Sequence, residues 1–152
     1  MKIKFYELRD DEHAALDRAV AKLPAGYELS STSDTLRADN LDTLDGAEAV
    51  VIVNKSPLDA QMLARLHAEG VRYVATRSIG FNHIDIEAAR ELGIRVCNTT
   101  YPPYGVAEFA VMLMLIALRK YKPAMWRQQV NDYSLAGLQG RELRNLTVGV
   151  MG

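Results

Sequence analysis

"AEAVVIV", residues Ala47 to Val53, is an apolar run rich in β-branched residues, with Glu48 its one charge. Such a run reads as a strand buried on both faces, which is how interior strands of parallel sheets look. Downstream, Ser56-Pro57 reads as a helix start, with Ser capping and Pro in the first helical position. Leu58, Met62, Leu63 and Leu66 supply a buried stripe, and Gly70 ends that helix. Val71 to Thr76 is the next strand, Asp85 to Leu92 a helix closed by Gly93, and Ile94 to Cys97 a fifth strand. Upstream, Ile3 to Leu8 is a strand. Asp10-Asp11-Glu12 then places acids where a helix begins, and Pro24-Ala25-Gly26 ends the helix. Tyr27 to Ser31 is a second strand, followed by a polar stretch with short helical potential at Leu41–Leu44. Strand and helix thus alternate over residues 1–98, which predicts an α/β fold with a parallel sheet covered on both faces. Five strands so arranged resemble a flavodoxin-like order.

Composition narrows the function. A net charge of −1 and the absence of a polybasic tract argue against a nucleic-acid partner. The basic residues after Leu118 read as a solvated face or hinge. Cys97 is the single cysteine, so no disulfide can form within one chain. The N-terminal stretch lacks the apolar core of a signal peptide, and the most apolar run, Val106 to Leu118, falls short of a spanning helix. The sequence reads as a soluble cytoplasmic protein with no membrane contact.

The chain changes character after Asn98. Tyr101-Pro-Pro-Tyr104 is a rigid connector, and from Val106 to Leu118 only Glu108 is polar. A helix apolar all round must be buried all round, so a second domain, a second subunit or both should cover it. Lys122 to Val130 reads as another helix, carrying Trp126. Asn131 to Arg144 reads as a loop, and Leu146 to Met151 as the start of a buried strand running into Gly152.

No catalytic set stands out. His13, His67 and His83 lie far apart without ligand spacing, so no metal site is expected. Cys97 reads as a small core residue. The strongest local signal is "TRSIGFNHID", Thr76 to Asp85, between a strand and a helix. Ligands of open α/β sheets bind at the carboxyl ends of strands. There Gly80 permits close backbone approach, and free N–H groups make a seat for an anion such as a carboxylate. An ordinary turn using Gly80 explains the stretch equally well. The ending, "TVGVMG", carries only the first glycine of a G-x-G-x-x-G fingerprint.

Taken together, "TRSIGFNHIDIEAARELGIRVCN", "YPPYGVAEFAVMLMLIALR" and "GRELRNLTVGVMG" resemble the D-isomer-specific 2-hydroxyacid dehydrogenase family. "VNKSPLD", "ATRSIGFNHID" and "LMLIALR" bring the chain closest to its D-lactate dehydrogenases of the vancomycin-resistance type. The resemblance implies a flavodoxin-like substrate domain over residues 1–98. Residues 99–152 would be the first helices and the strand start of an NAD-binding Rossmann domain, cut at Gly152. It implies that Ile79 and Gly80, flanked by Ser78, hold a substrate carboxylate, and that Asn54 and Tyr101 border the substrate pocket. Val106 would line the nicotinamide side, Gly152 would belong to the dinucleotide fingerprint, and residues 106–118 would form a homodimer interface. Val53 stands where some lactate enzymes carry a bulky aromatic, which leaves the accepted side chain open. The family's catalytic Arg, Glu and His would lie beyond Gly152, so this chain is expected to be inactive by itself and not to bind NAD tightly. The implied activity is reduction of pyruvate to D-lactate, or of a branched or phosphorylated relative. A rival class, a non-enzymatic signalling module, needs acids at the ends of the first and third strands. Asp10-Asp11 offers one half, and Val53-Asn54-Lys55 offers no other.

Overall fold

The computed structural model describes residues 1–151. Its chain divides into two units, Met1–Tyr101 and Pro102–Gly152. In the first unit the apolar runs become β1 (Lys2–Phe5), β2 (Glu28–Ser31), β3 (Ala49–Ile52), β4 (Tyr73–Thr76) and β5 (Arg95–Asn98). Every pairing is parallel and the order is β2-β1-β3-β4-β5, the flavodoxin-like order. All four residues of β3 are buried, as the opening run requires of an interior strand. β1 lies between β2 and β3, so the chain leaves it first toward one edge and later toward the other. The crevice at that switch point, outside the carboxyl ends of the strands, is where such sheets take ligands.

The crossovers are α1 (His13–Val20), preceded by a 3₁₀ turn at Asp10–Glu12, α2 (Ala60–Ala68) and α3 (Ile86–Glu91). The short helical potential at Leu41–Leu44 is realised as a 3₁₀ turn. α2 presents Met62, Leu63 and Leu66 to a core that includes Tyr6, Leu36, Ile52, Leu58 and Val74. Its cap is Asp59 and not Ser56. The Asp59 carboxylate accepts from the Met62 N–H at 2.8 Å, and the helix begins at Ala60. Ser56 lies too far upstream to reach the first turn; it is fully buried, accepts from Leu36 N–H at 3.0 Å and donates to Glu7. Asp85 caps α3 in the same way as Asp59, accepting from Ala88 N–H at 3.0 Å.

Tyr6 is fully buried and its hydroxyl meets Thr43 Oγ1 at 2.7 Å. Thr43 donates its own proton to the Asn40 carbonyl at 2.6 Å, so Tyr6 is the donor of the pair. Burial pushes the Tyr6 pKa above the ordinary tyrosine value. Cys97, expected in the core, is exposed. It sits on β5, the last strand of the sheet, which has no neighbour on its far side among the described residues and only Val96 partly covered. His13 is exposed and His67 half-buried on their helices.

The second unit holds α4 (Tyr104–Leu118), α5 (Tyr121–Gln129) and a 3₁₀ turn at Leu143–Asn145. α4 is the apolar helix expected from residues 106–118, begun two residues earlier. None of the described residues of this unit is buried, and Phe109, Val111, Met112, Leu113 and Leu115 are all exposed. The expected strand over Leu146 to Met151 does not form. Leu146 is extended (φ −125°, ψ 149°), but a strand needs a ladder partner, and none exists among the described residues. Gly152, read as a fingerprint glycine, lies outside the described residues. No helix among the described residues is long and apolar enough to cross a membrane.

Candidate functional site

The loop after β4 is held by three bonds. Arg77 N–H donates to the Ile52 carbonyl at 2.8 Å, which extends the β3–β4 pairing one step past the ladder. Ser78 Oγ donates to the Gly80 carbonyl at 2.7 Å, and Asn98 Nδ2 donates to the Ile79 carbonyl at 2.8 Å. Both carbonyls are thus engaged by protein donors. Among the described residues, nothing accepts from the N–H of Ile79 or of Gly80. Both residues are exposed. Gly80 does not adopt a positive φ, and a Cβ placed on it would meet nothing within 4 Å, so no turn constraint demands glycine there. The arrangement is an exposed pair of donors at the carboxyl end of a parallel strand, which suits an anion.

Thr76, nearly fully buried, anchors this loop from beneath. Its hydroxyl lies 3.2 Å from the Val53 carbonyl, 2.7 Å from Ser78 Oγ and 3.3 Å from His83 Nε2. His83 is thereby tied to the loop's hydroxyl pair. Among the described residues no group of three His, Cys, Asp or Glu side chains could hold a metal ion.

The loop after β3 carries Val53, half-buried, and Asn54, exposed. Beside it a cavity of about 450 Å³ opens at the switch point, lined by Glu7, Leu8, Arg9, Asp10, Ser33, Val53, Asn54 and Lys55. Its size is within the range of small-molecule pockets. β3, β4 and β5 are neighbours, so Asn54, the Ser78–Gly80 loop and Tyr101 follow the ends of three adjacent strands. Tyr101 is half exposed. Val106 lies on α4 in the second unit and is exposed.

Sequence reading missed Glu7 and Arg77. Glu7 is the one charged residue among the described residues that is buried, at 6% exposure. Its carboxylate accepts from Lys55 N–H at 3.1 Å and from Ser56 Oγ. Arg77 donates from Nη2 to the carbonyls of Glu7 (2.8 Å) and Tyr6 (3.2 Å), and pairs through Nη1 with Glu12 at 3.1 Å. A charge set between two buried residues, Tyr6 and Leu8, was the available signal for Glu7. Arg77 followed its strand directly and carried none. Asp10, on which the signalling alternative relied, is exposed beside the switch-point cavity, and the residues that follow β3 there, Val53, Asn54 and Lys55, include no acid.

Among the described residues no strand follows β5.

The family model for the D-isomer specific 2-hydroxyacid dehydrogenase catalytic domain matches residues 4–147. The chain belongs to this family. Other members of the D-isomer specific 2-hydroxyacid dehydrogenases align along its length. A D-specific alpha-keto acid dehydrogenase of Enterococcus faecalis is 40% identical over 79% of the chain and 37% of its own length. An aromatic 2-oxoacid reductase of Clostridium sporogenes is 36% identical over the whole chain and 46% of its own length. The apo structure of Escherichia coli D-lactate dehydrogenase superposes with a TM-score of 0.77 at 32% identity, covering 93% of this chain and 45% of that one. The chain therefore spans less than half the length of the family members it matches. Their names agree on 2-oxo and 2-hydroxy acids and differ in the side chain.

Proposed function

We propose that these residues are the substrate-binding part of an NAD-dependent D-2-hydroxyacid dehydrogenase, with pyruvate and D-lactate as its pair. The observation that carries this reading is the unpaired Ile79 and Gly80 N–H groups, beside carbonyls engaged by Asn98 and Ser78. A carboxylate seated on the two N–H groups would hold the substrate by one end and leave its keto carbon free. Ser78 keeps the loop in shape, while Asn54 and Tyr101 border the substrate from the neighbouring strand ends. None of these residues is assigned a proton or hydride step. In the proposed enzyme a nicotinamide supplies the hydride, and that cofactor, with the catalytic Arg, Glu and His, belongs to protein outside these residues. Val106 and Gly152 are its nearest contributions here. The same reading makes 106–118 a homodimer surface and the enzyme cytoplasmic.

The test is a pair of substitutions in the complete enzyme. Gly80→Pro removes one N–H and should raise the keto-acid KM at least tenfold. Gly80→Ala keeps that N–H in open space and should leave KM within about twofold. An unchanged KM in Gly80→Pro would sink the carboxylate seat. The 152-residue chain alone should show neither turnover nor tight NAD binding; detectable turnover by the pure chain would refute that division of labour.

A second reading replaces pyruvate with an aromatic 2-oxo acid. It is favoured by the Clostridium sporogenes relative and by the cavity of about 450 Å³ next to Val53 and Asn54. Comparing kcat/KM for pyruvate and phenylpyruvate separates the two.

A further inference from the structure

Glu7 combines three features that rarely coincide. Its carboxylate is enclosed, its backbone is left-handed (φ 58°), and it lies where the sheet's direction of growth switches. A non-glycine residue is uncommon in that backbone region, and it persists there only when its surroundings over-determine it. Here they do. Glu7 N–H donates to the Asp34 carbonyl at 2.9 Å, the carboxylate takes Lys55 N–H and Ser56 Oγ, and the carbonyl takes Arg77 Nη2. One residue therefore reaches the loop after β3 through its side chain and the residue leading into the loop after β4 through its backbone. Those two loops carry Asn54 and the Ser78–Gly80 donors.

We infer that Glu7 and Arg77 form a brace that fixes the spacing of the two substrate loops, and that both act as positioning residues for the keto-acid carboxylate. The inference rests on the proposed dehydrogenase reading for its kinetic consequence, and on geometry alone for its mechanical one. If the left-handed backbone is held by the carboxylate, losing the side chain lets the Glu7 carbonyl turn from Arg77. Losing the guanidinium releases the same peptide from the other side. The two loops should then loosen together, although the hydrogen bonds of the Arg77 side chain among the described residues go to Glu12, Tyr6 and Glu7 and not to Lys55.

The mechanical half is read by amide hydrogen exchange in the 152-residue chain. Arg77→Lys should speed exchange of the Lys55 N–H at least tenfold, and Glu7→Ala should do the same for the Arg77 N–H, which bonds Ile52. The Val74 amide, in the middle of β4, should move less than twofold and so excludes global unfolding. The brace is overturned if each effect stays on its own loop, or if Val74 accelerates in step. Should Glu7→Ala fail to fold, Arg77→Lys and Glu7→Gln still decide the matter. Gln keeps one acceptor for Lys55 while changing the partner of Ser56, so it should restore most of the protection. In the complete enzyme, Glu7→Ala and Arg77→Lys should raise the keto-acid KM about tenfold, leave the NADH KM within twofold, and change kcat by less than threefold, with Glu7→Gln recovering most of the loss. Equal shifts in both KM values would reduce the pair to a structural role. A wild-type enzyme that reduces no 2-oxo acid would end the dehydrogenase reading and leave the exchange result standing.

Discussion

Residues 1–101 and residues 102–151 draw on the same apolar alphabet and use it in opposite ways. Every buried hydrophobic side chain among the described residues lies in the first unit, from Tyr6 to Ile94. The second unit contains the chain's most apolar helix, α4, and fully buries no residue of it, with Met114, Ile116 and Leu118 half-covered. Within the first unit α2 and α3 start on Asp59 and Asp85, each bonded to a first-turn N–H, while α1 starts at Glu12 without a side-chain cap, as α4 and α5 do at Pro103 and Lys120. An apolar pattern states that a surface needs covering. The cover itself must come from somewhere, and for the first unit it comes from within 101 residues.

The largest expected effect opposes the two regions directly. Leu63→Ala empties a fully enclosed core site and should cost about 2–5 kcal/mol in urea unfolding, as deletions of buried leucine do. Leu113→Ala on α4 removes an exposed side chain and should cost less than about 0.5 kcal/mol. Equal costs would erase the contrast. Next, the bare α4 should make the chain self-associate. Replacing Phe109 and Leu113 with Glu should raise the concentration at which light scattering detects association at least tenfold. A wild-type chain that stays monomeric would show that exposure of α4 has no such consequence. Smaller still, Asp59→Ala should lower stability by about 1 kcal/mol through loss of the α2 cap.

The finest test is Tyr6→Phe, which should cost about 1 kcal/mol near neutral pH because a buried donor is lost from Thr43. The folded-state pKa of Tyr6 is raised, so its neutral form favours folding. That contribution is complete below the unfolded tyrosine pKa and is lost as pH rises from there through the folded pKa. The variant should therefore lose less stability than wild type above about pH 10. Parallel alkaline curves would show that Tyr6 does not titrate with folding.

Much of the first unit was legible because strand and helix periodicities are local. The β-branched run of β3, the stripe Met62, Leu63 and Leu66, and the stops at Gly70 and Gly93 each declare themselves within a few residues. The Ser78–Gly80 loop was legible too, since a glycine between a strand and a helix marks a strand's carboxyl end. Ser56 was misread as a cap because its true partners, Glu7 and Leu36, lie 49 and 20 residues away. Cys97 was misread because an apolar strand looks the same in sequence at the centre of a sheet and at its edge. The strand expected at Leu146 to Met151 has the right composition and lacks a neighbour to pair with.

By itself, then, the sequence determined the alternation of strand and helix, the apolar demand of α4 and the position of the Ser78–Gly80 loop, all of which depend on residues close together in the chain. Only the tertiary structure decided that Glu7 and Arg77, 70 residues apart, share one peptide between two loops. A buried charge finds its partners through space, and no periodicity in the chain records where they lie.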